Sequence, residues 1–207
     1  MLKNLEQESK PIPKPIPIDT AQFANLSDGE RKIRGLSKEV QLIFLETNKP
    51  PIVAFQGGSK RVSYDFPKNV TPKLLTSTHN HPNIYWGGTF SQQDIISLSQ
   101  NPAIGMKRVV GRKIEGTYIA IATDKADYDG LLKQILEDEI MLEVKSYKRS
   151  MLALGEFWQD EKPTDDQDKI ARQSKRSRQE GTGVLVTYYK KILPEYGFVY
   201  VRDKKGR

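Results

Sequence analysis

The chain has no cysteine and only two histidines in 207 residues. Without cysteine there is no disulfide frame, no thiolate metal site and no cysteine nucleophile. No apolar run approaches the about 20 residues that a membrane-spanning helix needs. Nothing at the N-terminus has the composition of a signal peptide. No internal repeat is visible. These absences lead to the expectation of an intracellular, cytoplasmic protein that makes no membrane contact.

What is present is charge. Lys and Arg number 33 against 26 Asp and Glu, a net charge of +7 and a sequence pI of about 9.4. Such a balance permits contact with nucleic acid or another acidic surface without identifying one. The apolar content of 37% and the length suit one domain with appendages.

Proline is concentrated at the start, in Pro11-Ile-Pro-Lys-Pro-Ile-Pro17. Alternating prolines fix φ and remove donors, so residues 1–20 are expected to be a polyproline-II arm or linker. A short helical lead-in follows over residues 19–36, with a turn near Ser27-Asp28-Gly29. Residues 39–45 and 52–55 are rich in strand formers and flank Pro50-Pro51, which predicts a hairpin. Residues 61–66 could add a strand, and residues 74–81 run extended. A helix starts at Ser91 and stops near Asn101-Pro102. Two strands are expected at 108–110 and 117–122, and a helix from Tyr128 onward with Leu131, Leu132, Ile135, Leu136, Ile140 and Met141 at helical spacing.

Past residue 158 the composition changes. Residues 160–168 are acidic, and residues 169–178 carry Lys169, Arg172, Lys175, Arg176 and Arg178 with no acid among them. The plain reading is a solvated helix face or linker, and the functional one an arm contacting nucleic-acid phosphates. Residues 184–193 read as a helix ended by Pro194 and Gly197, and 198–201 as a final strand. The expected division is therefore an arm or linker at 1–20, a core at 21–158, a charged linker or helix at 159–183, and a C-terminal helix and strand at 184–207 that could pack on the core. Together the elements predict an α/β (α+β) domain, a curved mixed sheet flanked by helices.

The two histidines stand two apart, as Thr78-His79-Asn80-His81-Pro82. On a strand, residues i and i+2 share a face, so both imidazoles can converge. Pro82 keeps His81 extended. Imidazole is the commonest metal ligand, and a carboxylate on the following helix, at Ser91-Gln92-Gln93-Asp94, would complete a three-ligand site. The same Ser-x-x-Asp is also close to an ordinary capping pattern, with Ser91 at N-cap and an acid at N3.

In order, Glu39, His79-x-His81 and Ser91-x-x-Asp94 resemble the JAMM (JAB/MPN) metalloprotease signature. The closer likeness is to its bacterial His-Asn-His-Pro branch, found in RadC-like and phage-encoded proteins. The resemblance spans about residues 36–122. The interval from His81 to Ser91 holds nine residues, more than the family pattern usually has, and the excess falls in a loop where insertion costs little.

The resemblance implies a cytidine-deaminase-like architecture and a zinc-dependent peptidase or isopeptidase acting on a peptide or protein substrate. His79, His81 and Asp94 would hold Zn²⁺, Glu39 would serve as general base, and Ser91 would stabilise the oxyanion. Glu46 is the other acid near the same strand. A phage origin would place the protein in the virion. Two rival functions fit the same residues. One is a metal-independent nuclease with His79 and His81 as acid and base; the other is a degenerate interaction module associated with nucleic acid or virion.

Overall fold

The computed structural model describes residues 15–57, 73–81, 89–111, 116–138, 142, 145, 149 and 182–203. Seven strands form one mixed sheet in the order β1-β3-β2-β4-β5-β6-β7. They are β1 (Ile16–Pro17), β2 (Val40–Phe44), β3 (Val53–Gln56), β4 (Leu75–Asn80), β5 (Ile104–Val110), β6 (Thr117–Ala122) and β7 (Phe198–Asp203). The helices are α1 (Leu26–Ile33), α2 (Gln92–Ser99), α3 over 128–138 and α4 over 182–195.

The expected hairpin is present: β2 and β3 pair antiparallel with Val40 opposite Gln56. β4 pairs antiparallel with β2 and parallel with β5, so α2 is the crossover between two parallel neighbours. Strand alternation sorts the side chains onto two faces. On one, Val40, Leu42 and Phe44 of β2 pack with Ile33 of α1, Phe23 and Val110. On the other, Ile104, Val109, Tyr118, Ala120 and Phe198 of the sheet meet Ile95 and Leu98 of α2, Leu131 and Ile135 of α3, and Leu185 and Tyr189 of α4. Helices thus cover both faces of an open mixed sheet.

Several expectations need correction. Ser27-Asp28-Gly29 is no turn; it is the first turn of α1, because the Asn25 side chain accepts from Asp28 N at 3.0 Å and caps the helix. The proline arm is not wholly a free linker, since Ile16 and Pro17 pair with Gln56 and Phe55 of β3. That position is an edge, where a missing N–H is tolerated. α4 continues through Pro194 to residue 195, and Gly197, at φ +76°, makes the turn into β7. A Cβ on Gly197 would lie 2.4 Å from the Lys125 carbonyl oxygen. In α3 the buried face is Tyr128, Leu131 and Ile135, while Leu136 is exposed.

The C-terminal helix and strand pack on the core, as the sequence allowed. α4 contributes Leu185, Tyr189, Ile192 and Leu193 to the same cluster as β4's neighbour β5, and β7 pairs along the whole of β6. The strand expected at 61–66 and the basic run at 169–178 lie outside the described residues.

A buried polar tie fixes α1 to the sheet. Arg108 on β5 donates to both Glu30 carboxylate oxygens, at 2.6 and 3.0 Å, and Thr78 Oγ1 on β4 donates to Glu30 Oε1 at 3.0 Å. This bidentate pair sits directly behind the strand that carries His79.

Candidate metal centre

The site forms where β4 ends and α2 begins. Alternation on β4 places Leu75, Ser77 and His79 on the α2 face, while Thr78 points to Glu30 on the other. His81 follows the last strand residue and still turns its ring to the same point: His79 Nε2 and His81 Nε2 are 3.1 Å apart.

Asp94 is brought to this point by helix capping. Ser91 is the N-cap of α2, its Oγ accepting from Asp94 N at 3.2 Å. Asp94 Oδ2 in return accepts from Ser91 N and Ser91 Oγ, both at 2.8 Å. The capping box is therefore complete, and it aims the carboxylate at the histidines. His79 Nε2 lies 2.9 Å from Asp94 Oδ1, and His81 Nε2 lies 3.2 Å from Oδ2. The side chain that caps α2 is also the carboxylate of a group that could hold a metal ion.

Around a tetrahedral zinc with bonds near 2.0–2.1 Å, ligand atoms stand about 3.3 Å apart. His79 Nε2 stands 3.1 Å from His81 Nε2 and 2.9 Å from Asp94 Oδ1, slightly short of this, while the 3.2 Å contact of His81 Nε2 runs to the other carboxylate oxygen, Oδ2. The three side chains are thus close enough together to hold a metal ion, one ligand atom each. His79, His81 and Asp94 are the one such His/Cys/Asp/Glu group among the described residues, with ligand atoms within 4.8 Å of one another. Neither histidine Nδ1 has a hydrogen-bond partner among the described residues, so the Nε2 atoms carry the polar contacts of both rings.

Electrostatics follow from burial and proximity. Burial pushes the Asp94 carboxyl up, but the charge and hydrogen bonds of His79 and His81 outweigh it and hold Asp94 well below the usual carboxylate range. For His81, burial pulls the imidazolium down. The hydrogen bond and charge of Asp94, with the charge of Glu39, more than reverse this, so His81 is raised.

Glu39 enters the site through β2. It precedes the strand's first residue and is 8% exposed, and its charge acts on both His81 and Lys107. Glu46, by contrast, is exposed and pairs with Lys49 at 2.7 Å. The structure thus brings His79, His81, Ser91 and Asp94 into contact, buries Glu39 where its charge acts on His81, and leaves Glu46 on the surface.

Lys107 is a site residue that sequence reasoning missed. Its buried ammonium lies 3.8 Å from Asp94 Oδ1. Burial pulls it down, and the charges of Asp94 and Glu39 only partly offset this. The signal was available: Lys107 shares the α2-facing side of β5 with Val109, an inward place for a lysine. Tyr189 of α4 is a second omission. Burial, then the charge of Asp94, pushes its phenol well up, and its hydroxyl has no partner among the described residues.

The C-terminal segment also braces the approach to α2. Tyr200 on β7 hydrogen-bonds Thr89, two residues before Ser91, at 2.8 Å. No described helix is long and apolar enough to cross a membrane. No family model, curated protein or solved structure matches this chain.

Proposed function

We propose that this chain is a zinc-dependent hydrolase of amide bonds in peptide or isopeptide substrates, of the JAMM metallopeptidase kind. What supports the reading most is one observation: two imidazole nitrogens and a carboxylate converge within hydrogen-bond distance, with the charge of Glu39 acting on the same point. His79, His81 and Asp94 would hold the zinc. When bound, it supplies Lewis acidity toward water and toward a carbonyl oxygen.

The remaining work falls to the chain's own groups. Glu39 would accept a proton from water and return it to the leaving amine, which requires its carboxylate to be ionised and close. Ser91 Oγ would donate to the carbonyl oxygen as negative charge gathers there. To do so it must exchange its present bond to Asp94 Oδ2, while Ser91 N keeps its own bond to that oxygen. Lys107 adds positive charge beside Asp94 without being a ligand.

The complete capping box favours a second reading, in which Asp94 serves the helix alone and the fold acts as an interaction module. Glu39→Gln separates the two. The variant keeps the side-chain shape and loses the proton acceptor. Zinc should stay bound while cleavage of a fluorogenic peptide or isopeptide panel falls about 10²-fold or more. Unchanged cleavage would remove Glu39 from the mechanism. Absence of both zinc and cleavage in the parent protein would favour the module.

A further inference from the structure

The residue between the two histidines, Asn80, belongs to neither the donor set nor the capping box, yet it is almost wholly buried. Its side chain is spent on the strand that carries Glu39. The β4–β2 ladder ends with His79 opposite Gln41. Beyond that pair the Asn80 amide takes the place of backbone pairing. Oδ1 accepts from Val40 N at 2.7 Å, and Nδ2 donates to Lys38 O at 3.1 Å, with a longer reach of 3.4 Å to Leu36 O.

Lys38 and Val40 are the immediate neighbours of Glu39 on either side. On the opposite edge, Gly57 N donates to Glu39 O at 2.9 Å. The backbone around Glu39 is thus held from β4 by the Asn80 side chain and from the β3 end by Gly57 N. Glu39 lies before the first residue of β2, where strand ends fray unless they are tied. A carboxylate acting as proton acceptor must stay within hydrogen-bond reach of its proton donor, and a 1 Å error can cost about 10²-fold.

We propose that Asn80 is a positioning residue that fixes Glu39 over the metal centre, so that one tripeptide, His79-Asn80-His81, supplies two ligands and orients the base. The inference rests on the reading of Glu39 given above. Either donor or acceptor at residue 80 alone would hold only one side of Glu39; the carboxamide has both. That is a chemical reason for asparagine at this place.

The test uses the full chain loaded with cobalt(II), whose visible spectrum reports ionisation at the metal and needs no substrate. Glu39→Gln should shift the pH midpoint of that spectrum by about one unit, the usual size of a neighbouring-charge effect. Asn80→Thr suits a strand but is too short to reach Lys38 O, and Asn80→Ala lacks the polar group altogether. Each should keep one cobalt per chain and reproduce most of the Glu39→Gln shift. Combined with Glu39→Gln, each should add nothing further.

An unchanged midpoint in folded, metal-loaded Asn80 variants would overturn the proposal, and so would a shift fully additive with that of Glu39→Gln. Loss of metal would overturn it too, because Asn80 would then act on the histidines. Failure of both variants to fold would make Asn80 a structural tie only. A Glu39→Gln variant with an unmoved midpoint would remove the base assignment first, and this inference with it.

Discussion

Ser91 carries two roles that one pair of substitutions separates. As N-cap, its Oγ accepts from Asp94 N at 3.2 Å; as neighbour of the candidate metal site, it donates to Asp94 Oδ2 at 2.8 Å. Ser91→Ala removes both. Loss of an N-cap to alanine costs about 1 kcal/mol, which for a domain of this size lowers Tm by about 2–4 °C. Ser91→Gly removes the same hydroxyl, but glycine is tolerated at an N-cap and costs only a few tenths of a kcal/mol, about 1 °C. Ser91 is extended, at φ −73° and ψ 165°, so neither variant is strained.

For zinc, the two variants should behave alike. Each loses the hydroxyl that orients Asp94, and removal of such an orienting partner costs about 10–100-fold in metal affinity. Ser91 N still holds Oδ2 at 2.8 Å in both, which keeps the loss from becoming total. The assay is thermal unfolding of the metal-free proteins beside a competitive zinc titration with a chromogenic chelator. The reasoning is refuted if zinc affinity follows stability, weak in the alanine variant and unchanged in the glycine variant. It is equally refuted if neither variant loses affinity.

Three further outcomes follow from the same geometry. Glu30→Ala strands the buried Arg108 guanidinium, held now at 2.6 and 3.0 Å. It should cost about 3–5 kcal/mol by denaturant unfolding, most of it recovered by pairing with Arg108→Met; a loss under about 1 kcal/mol would contradict the buried tie. Lys107→Met removes a cation 3.8 Å from Asp94 Oδ1 and should raise zinc affinity at least about tenfold; weaker binding would instead make Lys107 a necessary brace of Asp94. In the metal-free protein, His81 is raised, so its stabilising contribution is full below its ordinary pKa of about 6.5 and is lost as pH rises through the raised value. Asp94 is depressed, so its contribution is lost only as pH falls through its low value. Zinc requires neutral imidazoles, so the zinc-induced rise in Tm should grow from pH 6 to pH 8. A flat or falling increment by scanning calorimetry would contradict it.

The strands and helices that were legible in sequence are those with strong local signals. Val40–Phe44 and Thr117–Ala122 are rich in strand formers, and Ser91 with Asp94 spells a capping box. β5 begins at Ile104, earlier than expected, because Gly105 and Lys107 interrupt its apolar pattern. Gly105 is needed there, since a Cβ would meet the Lys73 carbonyl oxygen at 2.2 Å. The pairing of Pro17 with β3 was illegible, because proline composition says extended and does not say paired with what. The place of α4 in the core was left open. Charged residues 160–178 look like a boundary, while the contacts of Leu185 and Tyr189 with the rest of the sheet are long-range.

Within the site, spacing alone placed His79, His81 and Asp94, because strand periodicity and the cap fix where each points. Glu39 came from motif order, and local sequence could not separate it from Glu46. The separation lies in tertiary placement, one carboxylate buried beside β4 and the other paired with Lys49 on the surface. Asn80 was passed over because its partners, Lys38 and Val40, lie some 40 residues away in sequence.

The proposed function requires that His79, His81 and Asp94 together bind one zinc ion. Elemental analysis of purified protein, extended by zinc titration after chelator treatment, tests it most directly. The expected result is about one zinc per chain, lost in His79→Ala and in Asp94→Ala while both variants stay folded by circular dichroism. A parent protein that takes up no zinc, or holds it equally well in those two variants, would contradict it.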